Sequence, residues 1–340
     1  MGAPPAPSVG IQALIGSDLA ERGGVQYTEL AARHVLNRCN TDRMPDCWTI
    51  NPYRGCSFGC RYCYARYTHE FLGQRDPLAF ERQVFVKVGS PELLASEATE
   101  RRLRARPIAI GTATDPYQPA EARYELTRGI LEVLARYRGL DIGIVTKSAL
   151  ITRDIELLGR IHARSRLHIG ISLITPYRTL ARRLDPGAPT PERRLRTVQS
   201  LAAAGLDVGV LASPILPSIN DATRDLELLF RRSKAYEARW ISVGPLFLAS
   251  GSRRHFLAWL ADAMPRQLPL YRHLFASGID VDPRWERGLR RRVAVLRRRT
   301  GLPEGSARSR EPASLQLVLP GSAERLESRS ARGKALSARR

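Results

Sequence analysis

Thr49-Ile-Asn-Pro-Tyr-Arg-Gly-Cys-Ser-Phe-Gly-Cys-Arg-Tyr-Cys63 is a short apolar strand that runs straight into three cysteines, Cys56, Cys60 and Cys63. The spacing C-x3-C-x2-C puts three thiols on one tight loop. Four-iron clusters are normally held by four cysteine thiolates. A loop that offers three leaves one iron open, and an open iron can bind a substrate or cofactor. Gly55 and Gly59 flank the thiols and permit the tight turns that wrap a cluster. All five cysteines lie at or before position 63, the other two being Cys39 and Cys47. A disulfide framework spreads its cysteines through a short secreted chain. Clustering in one loop suits metal binding in a reducing compartment instead. Zinc would need Cys47 or His69 as a fourth ligand, and the spacing departs from the common zinc patterns.

Working outward, five more runs look like the first strand: Pro107-Ile-Ala-Ile-Gly-Thr112, Asp141-Ile-Gly-Ile-Val-Thr146, Leu167-His-Ile-Gly-Ile-Ser-Leu173, Asp207-Val-Gly-Val-Leu211 and Trp240-Ile-Ser-Val-Gly-Pro-Leu-Phe247. Each is short and rich in Ile and Val, as buried parallel strands are. Helical stripes lie between them. Leu126, Ile130, Val133, Leu134 and Tyr137 share one face and stop at Gly139; Ile155, Leu158 and Ile161 form another. A third, Leu195, Val198, Leu201 and Ala202, opens on Thr190-Pro191 and closes at Gly205. Strand followed by helix six times predicts an α/β fold, a partial parallel (βα)6 barrel. Right-handed crossovers gather the strand ends on one face, and barrels of this kind carry their sites at the C-terminal ends of the strands. The cysteine loop leaves the first strand at that end.

This organisation divides the chain into an N-terminal extension (1–47), a core barrel (48–262), a helical extension (263–303) and a basic tail (304–340). The first begins Pro-rich and has a helix-like stretch at 29–36. The third holds a basic helix at 285–299, with eight Arg and one Glu between positions 284 and 299. The tail has the composition of disorder, with a small apolar island at 316–319. The formal charge is +21, and only four of the 54 basic residues are Lys: 87, 147, 234 and 334. GC-rich codon usage exchanges Lys for Arg but does not easily create so large a surplus, so the charge points to a polyanion such as nucleic acid. There is no signal-peptide pattern and no apolar run of membrane-spanning length; the cytoplasm is the expected compartment.

The stretch 51–65 around the cysteines resembles the spore photoproduct lyase group of the radical SAM superfamily, a set often described as DNA repair photolyases. So do Gly111-Thr-Ala-Thr-Asp-Pro-Tyr-Gln-Pro-Ala-Glu121, Thr146-Lys-Ser148, Ala212-Ser-Pro-Ile-Leu-Pro217 and Asn220-Asp221. Within that group the chain is most similar to an uncharacterised branch that also carries Thr68-His-Glu-Phe-Leu72. The resemblance spans about residues 48–300. It implies a 4Fe-4S cluster on Cys56, Cys60 and Cys63, with S-adenosylmethionine chelated at the open iron through its amino and carboxylate groups. One electron then breaks the S–C5′ bond and yields a 5′-deoxyadenosyl radical. An electron donor such as flavodoxin or ferredoxin is implied as partner. The resemblance also sets Tyr62 near adenine, and Gly111, Thr112 and Thr114, with Asp115 as a charged partner, near the methionine amino group. Lys147 is expected at the methionine carboxylate or ribose; a compact ammonium kept in an Arg-dominated chain agrees with a specific role. Ser172 is a ribose candidate, and Pro214, within the run 213–217, an apolar wall for adenine.

Spore photoproduct lyase proper returns a hydrogen atom to its substrate from a cysteine further along the chain, and no cysteine follows Cys63 here. Tyr53, Tyr64, Tyr67 and Tyr117, near strand ends, are the hydrogen-atom relay candidates. Three readings stand open on sequence: a radical enzyme acting on nucleic acid, such as a damaged base; a radical enzyme acting on a protein, peptide or small molecule; and a non-enzymatic, basic metal-containing nucleic-acid-binding protein.

Overall fold

The computed structural model describes residues 24–305 other than 74, 75 and 77. Its strands are β1 (Gln26–Glu29), β2 (Asn37–Thr41), β3 (Met44–Ile50), β4 (Tyr53–Arg54), β5 (Gln83–Val86), β6 (Ile108–Ile110), β7 (Asp141–Thr146), β8 (Arg166–Ser172), β9 (Asp207–Ile215) and β10 (Ile241–Pro245). The large sheet runs β10-β9-β8-β7-β6-β3-β2. Six of its strands are parallel, and β2 pairs antiparallel with the outer edge of β3. The sheet curls into a half-barrel, the partial parallel barrel expected from the strand–helix alternation. The basic tail from 306 onward, the island at 316–319 and residues 1–23 lie outside the described residues.

Side chains alternate across a strand, and this assigns the two faces. Ile50, Ile108, Ile110, Ile142, Ile144, Leu167, Ile169, Ile171, Val208 and Val210 join Ile130, Leu134, Leu158, Ile161, Leu195 and Val198 of the helices in one buried core. Burying each such aliphatic contributes about 1.5–3 kcal/mol. The alternate residues face the concave side. On β7, β8 and β9 they include Gly143, Gly170 and Gly209. A Cβ at Gly209 would lie 2.1 Å from the Trp240 ring and one at Gly170 3.3 Å from it; the two glycines are register partners. Trp240, tied by Nε1 to Asp207 Oδ1 at 3.1 Å, thus plugs the lower barrel. The upper rim keeps Asn51, Gly111, Lys147 and Ser172 on the same concave face.

The stretch 29–36 is not helical. β1 ends there and pairs in parallel with β5, Tyr27 opposite Val84 and Glu29 opposite Val86, while Val35 and Leu36 drop into the main core. Pairing with a strand distant in sequence overrides the local helical pattern. A second core covers the cysteine loop. Helices Ser250–Ala263 and Leu268–Leu274 bring Phe256, Leu260, Tyr271 and Phe275 into one cluster with Phe58, Tyr62 and Phe80. The basic helix runs Pro283–Thr300, capped by Asp282, which accepts from Arg284 N and Trp285 N. Its Leu289, Val293 and Leu296 belong to the main core. Among the described residues no helix is long and apolar enough to cross a membrane.

Candidate active site

The cysteine loop is held from three sides. From β5 and the helix before it, Phe80 O accepts from Cys56 N at 3.0 Å. Gly55, at φ +89°, lets the chain pass so close that a Cβ would lie 2.8 Å from Gln83 O and 2.9 Å from Phe80 O. From the loop after β6, Thr114 Oγ1 donates to Gly55 O at 2.6 Å, and Gln118 bridges Gly55 O and Ser57 N. From the loop after helix Arg178–Leu184, Leu184 O accepts from Arg61 N at 2.9 Å and Gly187 N donates to Phe58 O at 3.0 Å. Arg66 pairs with Glu81 at 2.5 Å and donates to Cys60 O at 3.1 Å.

Gly187 is where this clamp is tightest. A Cβ there would stand 2.5 Å from Ser57 O and 3.1 Å from Phe58 Cα, both backbone atoms. Gly187→Ala should therefore cost about 1–3 kcal/mol, as overpacking does, and lower the iron retained per chain after reconstitution. Denaturant titration and iron analysis check this; an unchanged midpoint with full iron would remove Gly187 from the clamp.

Cys56 and Cys60 are buried and Cys63 is half-buried. Burial, then Asp115, pushes the Cys56 thiol up to about 12; burial likewise raises Cys60 and Cys63. Such thiols stay protonated until a metal takes the proton's place. Among the described residues, no three Cys, His, Asp or Glu side chains form a ready-made site for one metal ion. A four-iron cluster asks for something different, three thiols reaching three separate irons. The proposed zinc ligands point elsewhere: His69 Nε2 lies 2.9 Å from Gln83 O, and Cys47 stands opposite Cys39 across β2 and β3.

The structure brings most of the remaining predicted residues to this rim. Asn51 binds Thr112 Oγ1 at 3.0 Å and Ala113 N at 2.8 Å, fixing the turn after β6. Gly111, at φ +87°, has room for no Cβ: one would meet Pro116 Cδ at 2.5 Å and Val145 O at 2.6 Å. Asp115 is buried but well occupied, accepting from Thr146 Oγ1 at 2.6 Å, Lys147 N at 2.7 Å and Tyr117 N at 3.0 Å. Its carboxylate ties the β6 turn to the end of β7. Ser172 is buried at the end of β8. Pro214 follows a cis peptide bond within β9.

Lys147 Nζ lies 5.7 Å from the centroid of the Tyr62 ring. Burial works against its charge, but Cys60 in its thiolate form and the Asp185 carboxylate more than offset this and hold the ammonium above the ordinary lysine range. Asp185 and Arg194 were not found by sequence reasoning. They form a buried pair, Arg194 Nη1 to Asp185 Oδ2 at 2.9 Å, and the same nitrogen donates to Ser172 O at 3.1 Å. Burial alone would raise Asp185; Arg194 and Lys147 reverse this and hold it below the usual carboxylate range. The available signal was an acid just before Pro186-Gly187, ahead of a capped helix carrying a buried Arg. Buried polar groups are normally satisfied. Here Arg194 Nη2 is buried without a protein partner, while the Tyr62 hydroxyl and the Asp185 carboxylate face each other. Donors, an acceptor and an aromatic face collected beside three thiols suit a polar cofactor with carboxylate, amino, ribose and base groups.

The tyrosines separate. Tyr53 donates to Glu121 Oε2 at 2.5 Å inside a third cluster with Tyr27, Val84 and Val86. Tyr117 is buried in the main core, at a cleft shared with Phe58 and Gly187. Tyr64 stands on the rim, its hydroxyl donating to Thr112 O and its ring 5.2 Å from Phe247.

With this geometry in hand, the comparisons agree. The profile described as the radical SAM superfamily matches residues 50–229. Uncharacterised proteins of Mycobacterium bovis and Mycobacterium tuberculosis are each 37% identical over 274 residues, covering 80% of this chain and 80% of theirs. Among solved structures, spore photoproduct lyase complexed with dinucleoside spore photoproduct superposes with a TM-score of 0.60 at 15% identity, over 81% of this chain and 79% of that one. A variant of the same lyase with bound AdoMet gives a TM-score of 0.57 at 14% identity, over the same shares. These likenesses are of fold.

Proposed function

The chain belongs to the radical SAM superfamily, and from that premise we propose that it binds a 4Fe-4S cluster through Cys56, Cys60 and Cys63, cleaves S-adenosylmethionine reductively and acts on nucleic acid. The observation that carries the reading is the convergence at one barrel end of three thiols and a buried polar cluster of Tyr62, Lys147, Asp185 and Arg194, in which Arg194 Nη2 has no protein partner. When bound, the reduced cluster and S-adenosylmethionine supply one electron, a broken S–C5′ bond and a primary alkyl radical. The chain's own residues bind, orient and shield. Lys147 and Arg194 present donors to the carboxylate and ribose, and Tyr62 presents its ring to adenine. Asn51 fixes Thr112 and Ala113, whose backbone faces the amino group. Helices Ser250–Ala263 and Leu268–Leu274 keep water from the loop, so a radical is protected from quenching. Tyr64, alone of Tyr53, Tyr64 and Tyr117, sits on the rim where a relay to a bound substrate is useful.

The net charge of +21 supports a polyanionic substrate. The test is anaerobic. Protein reconstituted with iron and sulfide, then reduced, should form 5′-deoxyadenosine from S-adenosylmethionine. Formation should rise when a nucleic-acid substrate binds, with an affinity that falls steeply with salt. Salt-insensitive or absent oligonucleotide binding alongside 5′-deoxyadenosine formation would move the substrate to a protein, peptide or small molecule. No product from fully loaded protein, with or without oligonucleotide, would count against the radical reading.

A further inference from the structure

Two cations, Arg54 and Lys87, and two exposed rings, Tyr67 and Phe71, occupy the rim beside the cysteine loop, and the chemistry above does not employ them. Lys87 follows β5 and donates from Nζ to Asn51 O at 2.8 Å, which places its ammonium at the C-terminal end of β3. Arg54, on β4, stands opposite Phe85 and Lys87 N donates to Pro52 O at 3.1 Å, so the two cations lie diagonally on one face of the pair; burial, and then the Arg54 charge, pushes Lys87 down to about 8. Both side chains are half-buried, and among the described residues neither forms an ion pair with a carboxylate. Two adjacent, partly desolvated like charges oppose folding unless an anion joins them.

His69, two residues beyond Tyr67, has its Cε1 3.0 Å from where a Cβ at Gly55 would stand and its ring 5.6 Å from that of Phe85, the strand partner of Arg54, which sets the helical segment beside Arg54. Tyr64, Tyr67 and Phe71 stand at i, i+3 and i+7 of the short helical segment that leaves the cysteine loop, a spacing that aligns them on one face. The Tyr67 and Phe71 rings meet edge to face, centroids 5.6 Å apart. Tyr64 leans on Phe247, and the Arg43 guanidinium lies 4.1 Å from the Phe247 centroid. Exposure climbs outward, to 37% at Tyr67 and 63% at Phe71. Phe71 belongs to the stretch Thr68–Leu72 that the sequence singled out. Of its neighbours there, His69 packs between Phe80 and Phe85 and Glu70 pairs with Arg254 at 3.2 Å; Phe71 makes no comparable structural contribution.

We propose that this rim is the docking site for a nucleic-acid strand with an unstacked base, its phosphodiester at Arg54 and Lys87 and its base on Tyr67 and Phe71. The inference rests on the nucleic-acid reading above and names the surface that would carry it. Unneutralised cations set next to exposed ring faces match the alternation of phosphate and base along a strand, and base–aromatic stacking tolerates any sequence. An acidic protein surface would satisfy the cations and leave the rings unused.

The test is fluorescence anisotropy of the full-length reconstituted protein with a labelled single-stranded oligo(dT) of about twelve nucleotides, within the site sizes such grooves occupy. Phe71→Ala and Tyr67→Ala should each weaken binding about 5- to 150-fold without changing its salt slope. Arg54→Gln with Lys87→Gln should flatten the slope of log K against log salt by about 1.4, the release expected from two phosphates on a single strand. Since Phe71 is largely exposed, its removal leaves the fold intact, and thermal melts of the same samples check this. Wild-type affinity in both aromatic variants would overturn the proposal. So would a wild-type protein that forms 5′-deoxyadenosine yet binds no oligonucleotide, an outcome that leaves the radical chemistry standing. If Phe71→Ala instead weakens an acidic flavodoxin and spares the oligonucleotide, the rim belongs to the electron donor and the proposal fails.

Discussion

Cys60→Ala is expected to abolish both the brown chromophore and all formation of 5′-deoxyadenosine. Cys60 is the middle thiol of the loop: its carbonyl accepts from Arg66 and from Cys63 N, and its thiolate form favours the charge of Lys147. On the proposed ligation three thiols serve four irons with none to spare, so losing one would leave two irons without protein attachment. Cys47→Ala is the matched control. Cys47 lies opposite Cys39 across β2 and β3, so its removal should leave the chromophore and turnover at wild-type level. Visible absorbance and product assay decide it. Cleavage that survives in Cys60→Ala would sink the radical reading. A chromophore lost in Cys47→Ala but not in Cys60→Ala would bring back a ligand set that includes Cys47.

What the sequence made legible follows from which forces are local. The six parallel strands were readable because each is a short Ile/Val run buried on the helix-facing side, and the Thr190 cap was readable because its hydroxyl acts three residues away, accepting from Arg193 N at 3.3 Å. β1 and β5 were not, because Tyr27 and Val84 stabilise each other across more than fifty residues. The same division holds at the site. The cysteine spacing is local and was legible. The Asp185–Arg194 pair acquires its meaning only once the fold sets it beside Lys147, and Gly187 only once Ser57 stands against it. Motifs can also carry structure rather than chemistry. Asn220 Oδ1 accepts from Leu216 N at 2.6 Å while its Nδ2 donates to Ile174 O at 2.8 Å, and Asp221 anchors Trp285 Nε1 at 3.1 Å. Asn220-Asp221 therefore latches the exit of β9 to its neighbours. His69, the histidine nearest the cysteines, is a wedge under Gly55, its pKa lowered by burial.

Asp185→Ala should destabilise the apoprotein by about 3–5 kcal/mol, the usual cost of removing one partner from a buried ion pair. Both side chains are almost wholly inaccessible, 1% for Arg194 and 0% for Asp185. The variant therefore leaves Arg194 a buried cation without a carboxylate partner and removes one of the counter-charges of Lys147. Arg194→Met should cost a similar amount by stranding the carboxylate instead. The double variant removes both charges and should recover part of the loss, because neither charge is then left buried without its partner. A large coupling energy in this cycle, measured by anaerobic denaturant titration, is the signature. Strict additivity would mean the two residues act separately. The pH dependence has a definite sign. Asp185 is depressed in the folded state, so its contribution is complete above the unfolded carboxyl value of about 3.9 and is lost as pH falls from there through the folded value. The Asp185→Ala variant should lack that part of the acid-induced loss. Because Asp185 also sustains the Lys147 charge, S-adenosylmethionine should bind the double variant more weakly even where stability has returned. That split separates positioning the cofactor from holding the fold together.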